Sequence, residues 1–271
     1  MGRAVTSDAC LPVSVIVPCH DAEATVERAL ESIASQTRPP AELIVLDDAS
    51  TDGTACVLRR CAERPWPFAF TVITLPMNRG PGEARNAGWG AIDPANVYVA
   101  FLDADDVWLP RKLEWQIEWM EKNLDVAWTA HRCSILGSER MRPPDDASPP
   151  KVAAITRHML LTRNSVATPT VVARASVRSR FREGWRHCED LMLWLDWLDE
   201  EAGGAMLDLP LASLGRVPGT VGGCTGDLAA MYRGEQRVLG TLTKEGRISD
   251  LEAAAWRGYA WLRYQRRRMC A

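Results

Sequence analysis

Three carboxylates, Asp103, Asp105 and Asp106, emerge together directly after the apolar run Val97–Leu102. Carboxylates this close repel one another, so the cluster is costly unless a cation neutralises it. An oxygen-only donor set with spare coordination positions suits Mg²⁺ or Mn²⁺ bridging a diphosphate, because these ions combine one or two carboxylates with phosphate oxygens and water. The alternative is that Asp106 caps the next helix and the other two face solvent. A second acidic pair, Asp47-Asp48, ends the run Leu43–Leu46. Acceptors at a strand end can take hydrogen bonds from a base or ribose, which makes Asp48 a candidate ligand contact. Asp52, a few residues on, reads as a helix cap. Finally, Asn78–Gly88 joins glycines to a helix start and places Arg85 one turn in, where its donors suit phosphate.

The elements that must position these groups alternate. Val13–Val17 is a β-branched run stopped by Pro18, the pattern of a strand buried on both faces. Val26, Leu30 and Ile33 follow at helical spacing, Pro39-Pro40 breaks the helix, and Leu43–Leu46 is the next strand. The pattern continues with a helix after Asp52-Gly53, a strand over Phe70–Leu75, a helix after Pro81-Gly82 and a strand over Val97–Leu102. This alternation predicts an α/β fold with a doubly wound parallel sheet, whose ligands bind beyond the carboxyl ends of the strands. The second half is less regular. It offers an amphipathic stretch Arg111–Lys122, an apolar run Val126–Ile135, a proline-rich and charged loop or lid over Gly137–Lys151, and a strand over Pro169–Val172. A helix over Glu189–Glu200, an apolar run Met206–Leu214 and a glycine-rich segment Gly215–Gly226 follow. From Ser249 the tail is helical, with Leu251, Ala255, Tyr259 and Leu262 on one face and Arg257, Arg263, Arg266, Arg267 and Arg268 elsewhere.

Bulk properties permit an enzyme and exclude other classes. The chain has 271 residues, 46% hydrophobic and 25% charged, enough to bury a substantial core. A formal net charge of -3 argues against nucleic acid as a partner. The eight cysteines show no CxxC spacing and the opening residues no apolar leader, so reduced thiols in the cytoplasm are expected. No apolar run approaches the ~18 residues that span a bilayer.

The motifs Val13–Pro18, Leu46–Thr54, Ala84–Gly88 and Leu102–Asp106, in this order, resemble those of family 2 glycosyltransferases. The resemblance is close from Val13 to about Asn123 and weaker downstream, where His187-Cys188-Glu189-Asp190 is similar to the family's acidic motif at a helix start. It implies a glycosyltransferase-A fold, a Rossmann-like mostly parallel sheet flanked by helices, with a helical C-terminal extension. Residues 13–227 would form the catalytic domain, divided into a nucleotide-sugar and metal half (13–125) and an acceptor half (126–227). Residues 1–12 would be an N-terminal extension and 228–271 the helical C-terminal one. The resemblance further implies an inverting enzyme that uses a nucleotide-diphosphate sugar, UDP-sugar favoured, with Mn²⁺ or Mg²⁺. The acceptor would be a hydroxyl of a saccharide, lipid-linked or other molecule in surface polysaccharide or glycoconjugate synthesis. Pro18, His20, Asp48, Arg85, Asp103 and Ala104 would bind the nucleotide sugar, Asp105 with Asp103 would hold the metal, and Asp190 would be the catalytic base. Glu189 and Arg216 would contact acceptor or diphosphate.

Many relatives carry a tyrosine-arginine pair and a histidine after the strand ending near Leu214, whereas Gly215-Arg216-Val217-Pro218 retains only the arginine. Of the eleven tryptophans, helical spacing assigns most to packing. Trp185, near the expected base, is the candidate acceptor platform. The arginine-rich tail is a candidate for peripheral membrane contact, with a solvated helix face as the simpler reading. Asp103 and Asp105 also fit the nucleophile motif of haloacid-dehalogenase-like phosphatases, although that motif normally opens the core sheet. A catalytically inactive sugar-nucleotide-binding relative is the third reading.

Overall fold

The computed structural model describes residues 10–137, 150–200, 202–216 and 226–270. Most of the expected lid at Gly137–Lys151 and of the glycine-rich segment Gly215–Gly226 lies outside these residues, as does most of the N-terminal extension. The chain alternates at first as expected: β1 (Leu11–Cys19), α1 (Val26–Ala34), β2 (Pro40–Asp47), α2 (Thr54–Ala62), β3 (Ala69–Thr74), α3 (Pro81–Trp89), β4 (Tyr98–Phe101). There follow β5 (Val107–Trp108), α4 (Lys112–Lys122), β6 (Val126–Ile135), β7 (Val152–Ala154), α5 (Arg157–Thr162), β8 (Val172–Arg174), α6 (Glu189–Asp199), β9 (Gly203–Leu214), α7 (Leu228–Lys244) and α8 (Asp250–Cys270).

All nine described strands join one sheet in the order β3-β2-β1-β4-β8-β6-β9-β5, with β7 paired to β9. The first four are parallel, as the alternation of strands and helices requires. Beyond β4 the sheet is mixed: β8 runs antiparallel to both β4 and β6, β9 runs parallel to β6, and β5 and β7 run antiparallel to β9. The parallel expectation therefore holds for the half that carries the first motifs, and an apolar run carries no information on strand direction in the other half. The strand expected over Pro169–Val172 is displaced. Thr168–Thr170 forms a 3₁₀ turn, which tolerates the proline's fixed φ and missing N–H, and β8 starts only at Val172.

Alternation along β1, β2 and β4 divides the core into two layers. Ile16, Ile44, Leu46, Val99 and Phe101 face α3 and α6, where Trp89, Trp128, Trp194 and Trp197 pack together. Val13, Val15, Val17, Leu43, Val45, Ala100 and Leu102 face α1, α2 and α4. Both faces being apolar is what a continuous β-branched run signals. β1 and β2 end level with one another, Cys19 opposite Asp47, and β4 ends one strand away with Phe101 opposite Ile16. The loops carrying Asp48 and Asp103 thus rise from one rim.

Helix α3 reaches that rim by lying against β1 and β2. A Cβ at Gly88 would stand 2.7 Å from both Ile16 Cγ2 and Leu46 Cδ2, so glycine sets the closeness of helix and sheet. In Gly88→Ala the clash should outweigh the gain in helix propensity, lowering stability by about 1–2 kcal/mol. A urea midpoint equal to or above wild type would show that the layers have room to part.

Candidate active site

The site is built from loops that the strand ends hold side by side. At the end of β2, Asp48 is buried and both its carboxylate oxygens are engaged: Oδ1 accepts from Arg79 N–H and Oδ2 from Gly80 N–H, each at 2.8 Å. Gly80 has φ +90°, a conformation that favours glycine, and it directly precedes α3. Asp48 therefore fixes the start of the helix that carries Arg85. Asp52 accepts from Thr54 N–H at the first turn of α2, as a capping residue would. After β1, the Asp21 carboxylate accepts from Thr51 N–H at 2.7 Å and joins the β1 and β2 loops. His20 beside it is exposed, its Nε2 lying 3.5 Å from Asp21 Oδ2, while Pro18 is buried in β1 opposite Leu46.

Arg85 is the hinge of the arrangement. Its side chain is only 3% exposed. One guanidinium nitrogen donates to Asp103 Oδ1, the other lies 3.5 Å from Glu189 Oε1, and the guanidinium sits 5.3 Å from the Phe181 ring centroid. The motif after β4 and the motif that opens α6 are thus brought to one cation, although they are far apart in the chain. Its Nε finds no acceptor among the described residues, which leaves one buried donor for a ligand anion.

Around the acidic loop the partners are more numerous than the sequence suggested. Asp105 faces Arg216, with Nε 3.3 Å from Oδ2, and its backbone carbonyl accepts from Arg28 Nη2 at 3.0 Å. Asp106 does not cap α4: its Oδ1 accepts from Gly215 N–H at 2.8 Å and ties the end of β9 to the loop. Burial and the charge of Asp103 raise the carboxyls of both Asp105 and Asp106, the latter to about 8. Among the described residues no three His, Cys, Asp or Glu side chains converge to hold an ion by themselves. A divalent cation would find at most Asp103 and Asp105 as protein ligands and would need further oxygen donors from a bound ligand, a donor set that suits Mg²⁺ or Mn²⁺.

The acidic motif sits at a strained turn. Cys188 has φ 58°, and α6 begins at Glu189. Burial, followed by the charge of Asp190, raises Glu189 to about 7. Asp190 is half-buried, its Oδ2 accepting from Asn164 Nδ2 at 3.3 Å and its Oδ1 from Leu191 N–H at 2.7 Å, and burial raises its carboxyl as well. Ala104 is buried within the acidic loop. Trp185 does not offer an open platform, because it is buried in the core and the Arg237 guanidinium covers its ring at 4.2 Å. Arg28, Asn164 and the pair Asp106–Gly215 were not identified from sequence. Arg28 lies on an ordinary amphipathic helix, Asn164 is a single polar residue in a connection, and Gly215 looks like any glycine after a strand.

A model of the family Glycosyl transferase family 2 matches residues 14–182. The chain belongs to that family. This glycosyltransferase is 31% identical over 189 residues to WfgD of Escherichia coli, a UDP-Glc:alpha-D-GlcNAc-diphosphoundecaprenol beta-1,3-glucosyltransferase, covering 69% of this chain and 70% of that one. It spans between 46% and 57% of the length of several other curated relatives. In fold it is similar to S. aureus TarS 1-349 in complex with UDP-GlcNAc, with TM-score 0.64, 19% identity and coverage of 90% of this chain and 69% of that one. It is also similar to the mannosyltransferase PcManGT from Pyrobaculum calidifontis in complex with GDP-Man and Mn²⁺, with TM-score 0.63, 20% identity and coverage of 93% and 74%. The glycosyltransferase-A architecture expected from the motifs is the one observed. The phosphatase alternative finds no support, since Asp103 follows the fourth strand rather than the first and the matched relatives are glycosyltransferases.

Two tests follow from the geometry of this glycosyltransferase. A Cβ at Gly215 would fall 1.9 Å from the Asp105 carbonyl oxygen, so Gly215→Ala must displace the acidic loop. Transfer should fall by roughly 10²-fold, the usual cost of a misplacement of about 1 Å, and a rate within a few-fold of wild type would show that the loop can yield. For Glu189, the folded state holds its proton more tightly than the ordinary value of 4.5, up to about 7. The protonated form therefore favours folding, and that contribution is lost as pH rises from about 4.5 to about 7. The stability of wild type relative to Glu189→Gln should decline across this window. A difference that is constant with pH would place the carboxyl in water.

Proposed function

We propose that this glycosyltransferase moves a sugar from a nucleotide-diphosphate donor, a UDP-sugar, onto a hydroxyl of a lipid-linked or other saccharide acceptor with inversion at the anomeric carbon. The observation that carries the reading is the buried Arg85 between Asp103 and Glu189, which gathers a diphosphate-binding motif and an acidic motif at one rim. WfgD, by its name, uses UDP-Glc and a diphosphoundecaprenol-linked acceptor, which favours the same classes here. The six cysteines Cys10, Cys19, Cys56, Cys61, Cys133 and Cys188 are free thiols, which suits the reducing cytoplasm.

In this reading Pro18, His20 and Asp48 border the base and ribose, with Asp48 also fixing the Asn78–Gly80 turn. Asp105 and Asp103 would hold Mn²⁺ or Mg²⁺, which when bound would supply positive charge to the leaving group. Arg85 and Arg216 add fixed positive charge on the same side. Asp190 takes the proton of the acceptor hydroxyl as that oxygen attacks the anomeric carbon, and the nucleoside diphosphate departs with the electron pair of the broken bond. Burial, which raises the Asp190 carboxyl, makes it a better proton acceptor than an exposed aspartate, and Asn164 keeps one oxygen fixed.

The test is turnover of nucleotide sugars with and without chelator, in wild type and Asp190→Asn. Wild type should need a divalent cation and give product of inverted configuration. Asp190→Asn should keep donor affinity while kcat falls by ~10²-fold or more. Retained configuration, or a variant within a few-fold of wild type, would remove Asp190 from this role. Donor binding with no turnover in any condition would mark an inactive relative.

A further inference from the structure

The surface opposite the sheet carries a feature that the transfer reaction does not use. Helix α8 packs one face on α7, burying Ala253 and Ala260 and stacking Tyr264 on Tyr232 at 4.7 Å. Its opposite face carries Leu251, Gly258, Leu262 and Met269, spaced seven, four and seven residues apart, as positions on one helical stripe must be. Leu251 is 81% exposed, Leu262 62% and Met269 81%, with Trp261 beside them at 49%. No helix among the described residues is long and apolar enough to cross a membrane, so this stripe does not mark a span.

Charge distinguishes the occupants such a stripe could have. Between Trp256 and Met269 the helix carries Arg257, Arg263, Arg266, Arg267 and Arg268 and no acidic residue. Among the described residues, Arg263 is the only one of the five in an ion pair, with Glu235 at 2.6 Å. A second copy paired about a twofold axis through this half would set the same arginines against one another. An anionic lipid surface neutralises them while taking up the apolar stripe, with Trp261 suited to the interface.

The helix is also close to the acceptor side of the site. Arg263 Nη1 donates to Thr162 O at 2.6 Å, and two residues further on Asn164 holds Asp190. On α7, a Cβ at Gly234 would lie 3.0 Å from both His187 O and Cys188 Sγ, so α7 alone separates α8 from the turn that carries Glu189 and Asp190. We propose that α8 lies in the interface of an anionic bilayer, with Leu251, Leu262 and Met269 in the acyl boundary and the exposed Arg257, Arg266, Arg267 and Arg268 among the headgroups. The contact itself stands on the helix; its value for presenting an acceptor to Asp190 rests on the lipid-linked reading above.

The test is sedimentation of the full chain with vesicles of phosphatidylglycerol and phosphatidylcholine, or of phosphatidylcholine alone, with no substrate present. Binding should be ~10-fold or more tighter on the anionic vesicles and should weaken with salt. Leu262→Asp with Met269→Asp, and separately Arg266→Gln with Arg267→Gln and Arg268→Gln, should each lower it ~10-fold or more. Nucleotide-induced thermal shifts should stay at the wild-type value and so report intact folding. The proposal is overturned by equal binding to both vesicle types, by no binding to either, or by a dimer in solution that the Leu262 and Met269 variants dissociate. Because the vesicles carry no acceptor, failure of transfer to a lipid-linked acceptor would leave this result standing.

Discussion

A single buried cation holds the site together. Arg85 sits at 3% exposure between carboxylates from two distant segments, and each of those carboxylates lies in a loop or helix start that would otherwise repel its neighbours. Taking charges out of water costs several kcal/mol each, and leaving one partner uncompensated costs about 3–5 kcal/mol. Everything around Arg85 serves to make its burial tolerable and its position exact. Gly88 lets α3 lie close on β1 and β2, Asp48 organises the turn before the helix, and Phe181 covers the guanidinium.

The loops of the rim are held in conformations that side chains ordinarily avoid. Among the described residues only Asp21, Ala49 and Cys188 combine a side chain with positive φ, and they follow β1, follow β2 and open α6. Such residues cost on the order of 1–3 kcal/mol each and persist where surrounding contacts determine them. Asp21 is held by the Thr51 N–H, and Cys188 by packing against α7. The scaffold can carry this cost because β1, β2 and β4 are apolar on both faces and leave the strand ends little freedom.

Legibility in the sequence followed the range of the interactions. β1, β2, β3 and β4 could be read because each is a short apolar run with a helix between it and the next; Asp48, Asp103 and Asp105 stood out because each follows such a run within a few residues, and Arg85 because it lies one turn into the helix after Pro81-Gly82. The insertion of β8 between β4 and β6 could not, since pairing direction is decided by partners far along the chain. The partner of Asp106 was hidden for the same reason: its local context offered an ion ligand or, as the alternative, a helix cap, whereas its Oδ1 accepts from the backbone of Gly215. Trp185 looked available because it lies near the acidic motif in sequence, and only the path of α7 places Arg237 over its ring.

The contacts that complete the site join residues separated by 109 positions for Asp106 and Gly215 and by 104 for Arg85 and Glu189. During synthesis the strands and helices up to β4 can assemble first, from neighbours close in the chain, as domains rich in local contacts do. Arg85 and Arg28 can already engage Asp103 and the Asp105 carbonyl, whereas Asp106 still lacks the Gly215 N–H and Asp105 still lacks Arg216. A nascent chain that stops before β9 therefore carries the acidic motif of the family without the two residues, Gly215 and Arg216, that engage Asp106 and Asp105 from the far side of the sheet.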